Sequence, residues 1–416
     1  METLLSSSTS RTGSADRAQP AAPTPLPEHG RDPAAVLADL AALRRDDHGY
    51  EDGTVFNSIC SAPLPVARQV FAQALETNMG DNRIFPSLRR AEQEVTALLG
   101  DLMGLADASG VATSGGTEAN LLAVLAALRR DGPHTRTGRP PRVVLPESAH
   151  FSFDKILAMV GAEPVHVPLT PDLHVRAQAL RALVTEDTAL VVATAGTSET
   201  GAVDDIPAVA EHTRALGVPL HVDAATGGFL VPFARDLGHR LPRIGFDVPG
   251  VTSVTLDPHK YGGAPIPAGH LLVRDPADLD RLRVASHYRG THDHHGLLGT
   301  RPGAAVLATW AALHTMGRDG YRSLVASVFE RRELLLGLLR TGGFDVPDPD
   351  LTVVTARHRA PGELVDALER RGFIASVARR HGLLRLVVHR HQSEEQLRSL
   401  VTALTAADAE IGGGSG

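Results

Sequence analysis

One cysteine, Cys60, is all that the 416-residue sequence carries, so no disulfide can form within the chain and a reducing compartment suits it. No apolar run reaches the roughly 20 residues of a membrane span. The N-terminal stretch METLLSSSTSRTGSADRAQP lacks the apolar centre of a secretory signal. The expectation is a cytoplasmic protein with no membrane partner. A net charge of −7 leaves no basic footprint for nucleic acid. GxSxG is absent, which removes the usual serine-hydrolase signature. The histidine-rich runs HDHH (292–295) and HRH (389–391) lack the i,i+4 spacing with a nearby carboxylate that a helical zinc site shows. They read as loop and surface histidines, and no metal is expected.

Lysine is the scarcest charged residue. Of 41 basic residues only Lys155 and Lys260 are lysines. Arginine carries charge equally well but does not lose its proton to become a nucleophilic amine, whereas lysine can. A lysine kept among arginines is therefore a candidate for amine chemistry. Chance survival on the surface is the plain alternative, and Lys155 fits that. For Lys260 the neighbouring sequence has to decide.

A hydrophobic fraction of 43% and a charged fraction of 21% describe a soluble globular chain, and the length suggests about two or three domains. Residues 1–30, rich in Ser, Ala, Pro and Thr, read as a disordered tail. Residues 412–416 read as a flexible end or a cloning remnant. Between about 90 and 275, short apolar runs alternate with helical ones. RVVLPES (142–148), ALVVATAG (189–196), PLHVDAA (219–225), VTSVTLD (251–257) and HLLVRD (270–275) have the length and boundaries of buried strands. LLAVLAALRR (121–130) and IPAVAEHTRALG (206–217) have helical spacing. The alternation predicts an α/β layer with a mostly parallel sheet. Ligands of such sheets sit at the carboxyl ends of the strands. Residues 304–340 read as connecting helices, and 341–411 as a small α+β domain with strand-like LTVVTAR, IASVAR and LLRLVVHR.

The chemistry-bearing residues follow the strand runs. In VATSGGTEANLLAVLAALRR (111–130) a strand leads through Gly115 and Gly116 into a helix. The glycines let backbone approach a ligand closely, Thr117 is placed to cap the helix, and a helix start suits a phosphate. The stretch has neither the GK[ST] of a P-loop nor GxGxxG, and an ordinary strand–turn–helix cap accounts for it equally well. Asp223 ends an apolar strand, where a carboxylate is costly unless paired. It either caps the next loop or holds a cation such as a protonated ring nitrogen. His150, after another strand, could stack on a flat ligand or serve structure. A phosphate cradle, an acid, a loop histidine and a reactive lysine are together the groups that pyridoxal phosphate requires.

The same segments resemble a known family, the group II pyridoxal-phosphate-dependent amino-acid decarboxylases, and within it the archaeal-type tyrosine/aspartate decarboxylases. NSICSAPLPVA, ETNMGDNRIFP, SGGTEAN, AHFSF, GTSETGAVDDI, HVDAATGGF, DPHKYGGAPIPAG and GTRPGA occur in family order, and the resemblance runs from about residue 55 to 400. It implies the fold-type I, aspartate-aminotransferase-like architecture: a large cofactor-binding domain at 91–303, a small C-terminal domain, and a segment at 31–90 that contributes to the substrate site and to a homodimer. It implies that Lys260 binds the cofactor's aldehyde, that Asp223 holds the pyridinium nitrogen, and that His150 and Ala225 cover the two ring faces. Gly115, Gly116, Thr117, Asp257 and His259 would surround the phosphate side, with Thr300 reaching the partner subunit's phosphate and Thr197 near the ring. Tyr288 would protonate the substrate carbon, and Arg385 would bind the substrate carboxylate. Asn82, Phe85 and Thr226 would touch the substrate. Departures fall on that substrate side. Thr226 stands where the family has an aromatic residue, Asn82-Arg83 replace a Pro-Gly pair, and Tyr261 follows the lysine where Met is frequent. The activity implied is release of CO2 from an acidic or aromatic L-amino acid. The alternatives are a carbon–carbon lyase of the sphingosine-phosphate type, which shares HKYG, and a cofactor-binding protein without activity.

Overall fold

The computed structural model describes residues 25–81, 83–287 and 293–413. The chain forms two units, one ending at Asp47 and one beginning at His48. The first holds a helix, Pro33–Leu43, with proline at its start and the Asp32 carboxylate accepting from the Ala34 N–H at 2.7 Å. Its Val36, Leu37, Leu40 and Leu43 are exposed.

The second unit is built on seven strands: β1 (Ser109–Thr113), β2 (Arg142–Pro146), β3 (Glu163–Val167), β4 (Thr188–Thr194), β5 (Leu220–Asp223), β6 (Val251–Leu256) and β7 (Gly269–Val273). Their order in the sheet is β1-β7-β6-β5-β4-β2-β3. β7 runs antiparallel to both neighbours, and every other pair is parallel. The reason is the connection. From β6 to β7 the chain returns through 257–268 without a crossover helix, so the next strand must run backwards. That return segment contains Lys260. The apolar runs read as strands became β2, β4, β5, β6 and β7. The edge strand β3, EPVHV, was not anticipated, because only Val167 of its five residues is buried and its pattern does not mark a core strand.

Two short strands, β8 (Val284–Ala285) and β9 (Asp293–His294), pair antiparallel. A long helix, Gly303–Thr341, then breaks at Gly317, whose φ of 54° and ψ of −176° separate its two helical halves. The C-terminal part is a three-stranded antiparallel sheet, ordered β10 (Val353–Arg357), β12 (Leu383–Val387), β11 (Ser376–Ala378). Helices Pro361–Glu369 and Glu394–Gly413 accompany it, the second running two residues into the segment read as a tail. One continuous core joins both sheets, with Val222 and Val254 from the large one and Leu384 and Leu386 from the small one. Each such side chain contributes about 1.5–3 kcal/mol on burial.

Tyr261 ties the lysine segment to the small sheet. Its buried hydroxyl pairs with the Thr352 hydroxyl at 2.6 Å and donates to the Val388 carbonyl at 2.9 Å. His389 stacks on the tyrosine ring with centroids 5.1 Å apart, and its Nε2 pairs with the Ser58 carbonyl at 2.7 Å. This corrects the reading of 389–391 as surface histidines. His389 is buried, because Tyr261 and the Asn57–Ser58 backbone cover the end of β12. That burial holds its pKa down at about 4.

Candidate active site

The carboxyl ends of β1, β2, β4, β5 and β6 converge on a cleft of about 340 Å³. Each strand is followed by a loop or helix start, and those segments bring together residues far apart in the chain. Gly115, Gly116, Thr117, His150, Asp223, Ala225, Thr226, Asp257, His259 and Lys260 all line it.

The lysine is nearly buried, with 14% of its side chain exposed, and its Nζ lies 3.2 Å from Asp257 Oδ2. His259 Nδ1 pairs with the Ala268 carbonyl at 2.5 Å, which holds the ring between the lysine and the start of β7. Its Nε2 sits 3.7 Å from the same Asp257 oxygen. The other oxygen, Asp257 Oδ1, is buried without a hydrogen-bond partner. A buried carboxylate oxygen without a partner, on a residue that lines the cleft, calls for an explanation such as a ligand or a proton.

Against the Asp257–His259 segment the helix Gly116–Leu128 begins at Gly116, with Gly115 as its cap at φ 149°. Thr117 therefore lies inside the first turn and does not cap the helix; its side chain is exposed at the cleft. The expectation of a threonine cap is corrected. The Glu118 carboxylate reaches back instead, accepting from the Ser114 N–H at 2.7 Å. A side chain at Gly116 would approach Asp257 Oδ2 to 3.0 Å and Ala225 Cβ to 3.2 Å, so a methyl here would crowd the floor of the cleft. The turn presents backbone N–H groups and the positive end of a helix, as an anionic group requires.

Asp223 is buried at the end of β5. Oδ2 accepts from Asn120 Nδ2 at 2.9 Å and Oδ1 from the Ala225 N–H at 3.1 Å. His150 accepts at Nδ1 from the Ser152 N–H at 3.3 Å, with the Ser152 hydroxyl at 2.8 Å. Burial lowers its pKa, opposed by the Asp223 charge. A neutral, flat ring thus faces the cleft. An acid at one end, a glycine-lined helix start at the other, an imidazole on the wall and a lysine beside them fit pyridoxal phosphate.

Other residues singled out from the sequence lie outside the lining. Thr197 is buried behind it, between the lining residues Gly196 and Ser198, with its hydroxyl 2.8 Å from that of Thr200. Arg385 stands one layer back on β12, with Nε donating to the Ser198 carbonyl and Nη1 to the Asn57 carbonyl, both at 2.6 Å. Burial lowers its pKa. Phe85 packs near Met79 and Leu88, and Thr300 is exposed on the loop before the long helix. Tyr288 and Asn82 lie outside the described residues. The lining also contains Cys60, Ser198, Ile266 and Asn120, which were not anticipated. Asn120 had a signal: it is four residues after Gly116, on the same helical face.

Solved structures of similar fold include sphingosine-1-phosphate lyase of Burkholderia pseudomallei, with a TM-score of 0.85, 26% identity and 95% of each chain covered. Glutamate decarboxylase of Lactobacillus brevis has a TM-score of 0.83 at 21% identity, covering 96% of this chain and 97% of that one, a likeness of fold alone. Fold and cleft together define a fold-type I pyridoxal-phosphate enzyme. Residues 52–350 match the pyridoxal-dependent decarboxylase conserved domain. A probable L-tyrosine/L-aspartate decarboxylase of Methanothermobacter thermautotrophicus is 38% identical over 358 residues, 85% of this chain and 97% of that one. The L-aspartate decarboxylase of Thermococcus kodakarensis is 37% identical over 383 residues, 91% and 98% of the two chains. The chain belongs to the pyridoxal-dependent decarboxylase family, and it is a pyridoxal-phosphate-dependent amino-acid decarboxylase.

Proposed function

We propose that the substrate is an acidic or aromatic L-amino acid, L-aspartate foremost, converted to its amine with loss of CO2. Two supports combine. The similar archaeal proteins are named for aspartate and tyrosine. The cleft wall holds Thr226 and Ser198, with Arg385 behind the latter, rather than an aromatic platform. The observation that carries the reading is the gathering of Lys260, Asp257, Asp223, His150 and the Gly115–Thr117 turn around one cleft.

In this reading pyridoxal phosphate, when bound, supplies an electron sink for the pair released as the bond to the carboxylate breaks. Lys260 holds it covalently. Asp257, 3.2 Å from Nζ, steadies the ammonium and accepts the proton the amine sheds before it can act as a nucleophile. Asp223 accepts from the ring nitrogen. His150 and Ala225 confine the ring, while Gly115, Gly116, Thr117 and His259 receive the phosphate. Arg385 acts through the Ser198 segment to orient the substrate carboxylate, and Thr226, Asn82 and Phe85 shape the side-chain pocket. Thr197 supports the floor. Tyr288 delivers a proton to the substrate carbon, a step typically worth ~10²–10⁴-fold in rate.

The exposed apolar stripe Val36, Leu37, Leu40 and Leu43 supports a homodimer, in which the segment 31–90 and Thr300 serve the shared site. No helix among the described residues is long and apolar enough to cross a membrane, and with one cysteine a cytoplasmic setting suits the chain. CO2 and amine release should be assayed across L-aspartate, L-glutamate, L-tyrosine and L-histidine, with Lys260→Ala as control. Release from L-aspartate, lost in the variant, is expected. Silence across the panel with cofactor bound, and cleavage of a phosphorylated long-chain amino alcohol instead, would replace this reading with the lyase one.

A further inference from the structure

Asn120 connects Asp223, at the end of β5, to polar groups buried beside the cleft. Both Asp223 oxygens accept, Oδ1 from the Ala225 N–H and Oδ2 from the Asn120 NH2 at 2.9 Å. The Asn120 oxygen therefore faces His221 Nε2 at 3.0 Å. Nε2 must carry the ring proton to donate to it. That leaves Nδ1 as an acceptor, 2.8 Å from the Ser253 hydroxyl, which donates. Strand register supplies the last pair, since His221 on β5 lies directly opposite Ser253 on β6. All four side chains are buried. The burial of His221 holds its pKa down at about 4, so the ring is neutral and the direction of the relay is fixed at physiological pH.

We propose that Asn120 is a positioning residue for the cofactor: through the Ser253–His221–Asn120 relay it fixes the Asp223 carboxylate in the orientation that pairs with the ring nitrogen. The proposal rests on the assignment of Asp223 to that nitrogen. With Asn120 on Oδ2 and the Ala225 N–H on Oδ1, neither oxygen can rotate away. Without the Asn120 donor, Oδ2 would be buried without that partner and the carboxylate would be free to turn about its bond to Cβ, losing its aim at the ring nitrogen. The same relay accounts for a histidine and a serine buried within β5 and β6. Buried polar groups that form a fully satisfied chain specify one arrangement.

The test compares two ligands on the full-length protein: pyridoxal phosphate, and the analogue with carbon in place of the ring nitrogen. Asn120→Leu should weaken binding of pyridoxal phosphate about ten-fold, the scale of one hydrogen bond to a charged group, and leave the analogue's Kd unchanged. Equal weakening of both ligands, or of neither, would overturn the role. His221→Gln, which keeps an amide N–H for Asn120, should bind both ligands as the parent does, whereas His221→Met should lose the preference for the nitrogen-bearing ligand. This pair decides the matter if Asn120→Leu does not fold. Asp223→Asn separates the two levels. If it abolishes the preference while Asn120→Leu does not, the relay is refuted and the site assignment stands. If Asp223→Asn leaves the preference intact, the assignment of Asp223 itself is refuted, and the relay with it.

Discussion

Acidification should expose the cost of keeping histidines neutral inside the fold, and His270 isolates that cost. It lies on β7, 1% exposed, with Nε2 2.9 Å from the Thr96 hydroxyl. Burial, and secondarily the Arg301 charge, pulls its pKa from 6.5 down to about 3. A base whose folded pKa is depressed stabilises the fold above its unfolded pKa. That stability is lost as pH falls from 6.5 toward 3, because the unfolded chain takes up the proton first. Between pH 6.5 and 4.5 the unfolded histidine goes from half to almost fully protonated, while the folded one takes up almost nothing. Integrating the linkage over that interval gives about 2 kcal/mol for this one residue. His270→Gln removes the titration while keeping an amide nitrogen near Thr96. It costs some packing, but that cost is the same at both pH values and cancels in the comparison. Urea unfolding at the two pH values, followed by fluorescence of the single tryptophan Trp310, reads the difference. The parent should lose about 2 kcal/mol more than the variant on acidification. Parallel losses would refute the argument that His270 is buried neutral.

Tyr261→Phe leaves the Val388 carbonyl and the Thr352 hydroxyl without their buried partner, and should destabilise by about 1–3 kcal/mol in thermal or urea unfolding. Gly116→Ala places a methyl 3.0 Å from Asp257 Oδ2. It should raise the Kd for pyridoxal phosphate in an equilibrium titration while leaving the melting temperature of the cofactor-free protein nearly unchanged. Asp350→Asn removes the carboxylate 2.9 Å from His174 Nε2, whose hydrogen bond raises the His174 pKa from 6.5 to about 9. A raised folded pKa stabilises below pH 6.5 and ceases to do so as pH rises through about 9. The variant should therefore lose about 1 kcal/mol more at pH 6 than above pH 9, a figure reduced for solvent screening of a half-buried pair; any loss from the Val203 N–H, which donates to the same Asp350 oxygen, is the same at both pH values. A deficit independent of pH would show that the ion pair is not its source.

The elements that were legible in the sequence are those whose burial is continuous along the chain. β4 is buried at every one of its seven positions, and such a run needs no knowledge of its neighbours to be read as a central strand. β3 is legible only once β2 is beside it, because its own residues are mostly exposed. The same division runs through the site. Gly116, His150, Asp223 and Lys260 each follow a strand, so topology alone sends them to one edge of the sheet. Arg385 carries a charge in LLRLV, but its direction depends on the Ser198 and Asn57 carbonyls, 187 and 328 residues away. The His221–Ser253 pair depends on the register of two strands. His389 looked solvated within HRH because what buries it, Tyr261 and the Ser58 backbone, arrives from two distant segments.

The two lysines show how structure completes an argument that composition only begins. Scarcity marked Lys155 and Lys260 equally. Lys155 is exposed on its helix, with its ammonium 4.9 Å above the Phe151 ring, a contact that arginine would make as well. Lys260 is enclosed, and its ammonium faces a buried carboxylate whose second oxygen is unpartnered. Arginine's permanent charge would satisfy that carboxylate and end the chemistry there. In the proposed role, lysine satisfies it reversibly, giving up a proton when a carbonyl carbon is to be attacked and regaining it on release. That role would account for a lysine at 260 in a chain that otherwise uses arginine, because it needs a cation that can stop being one.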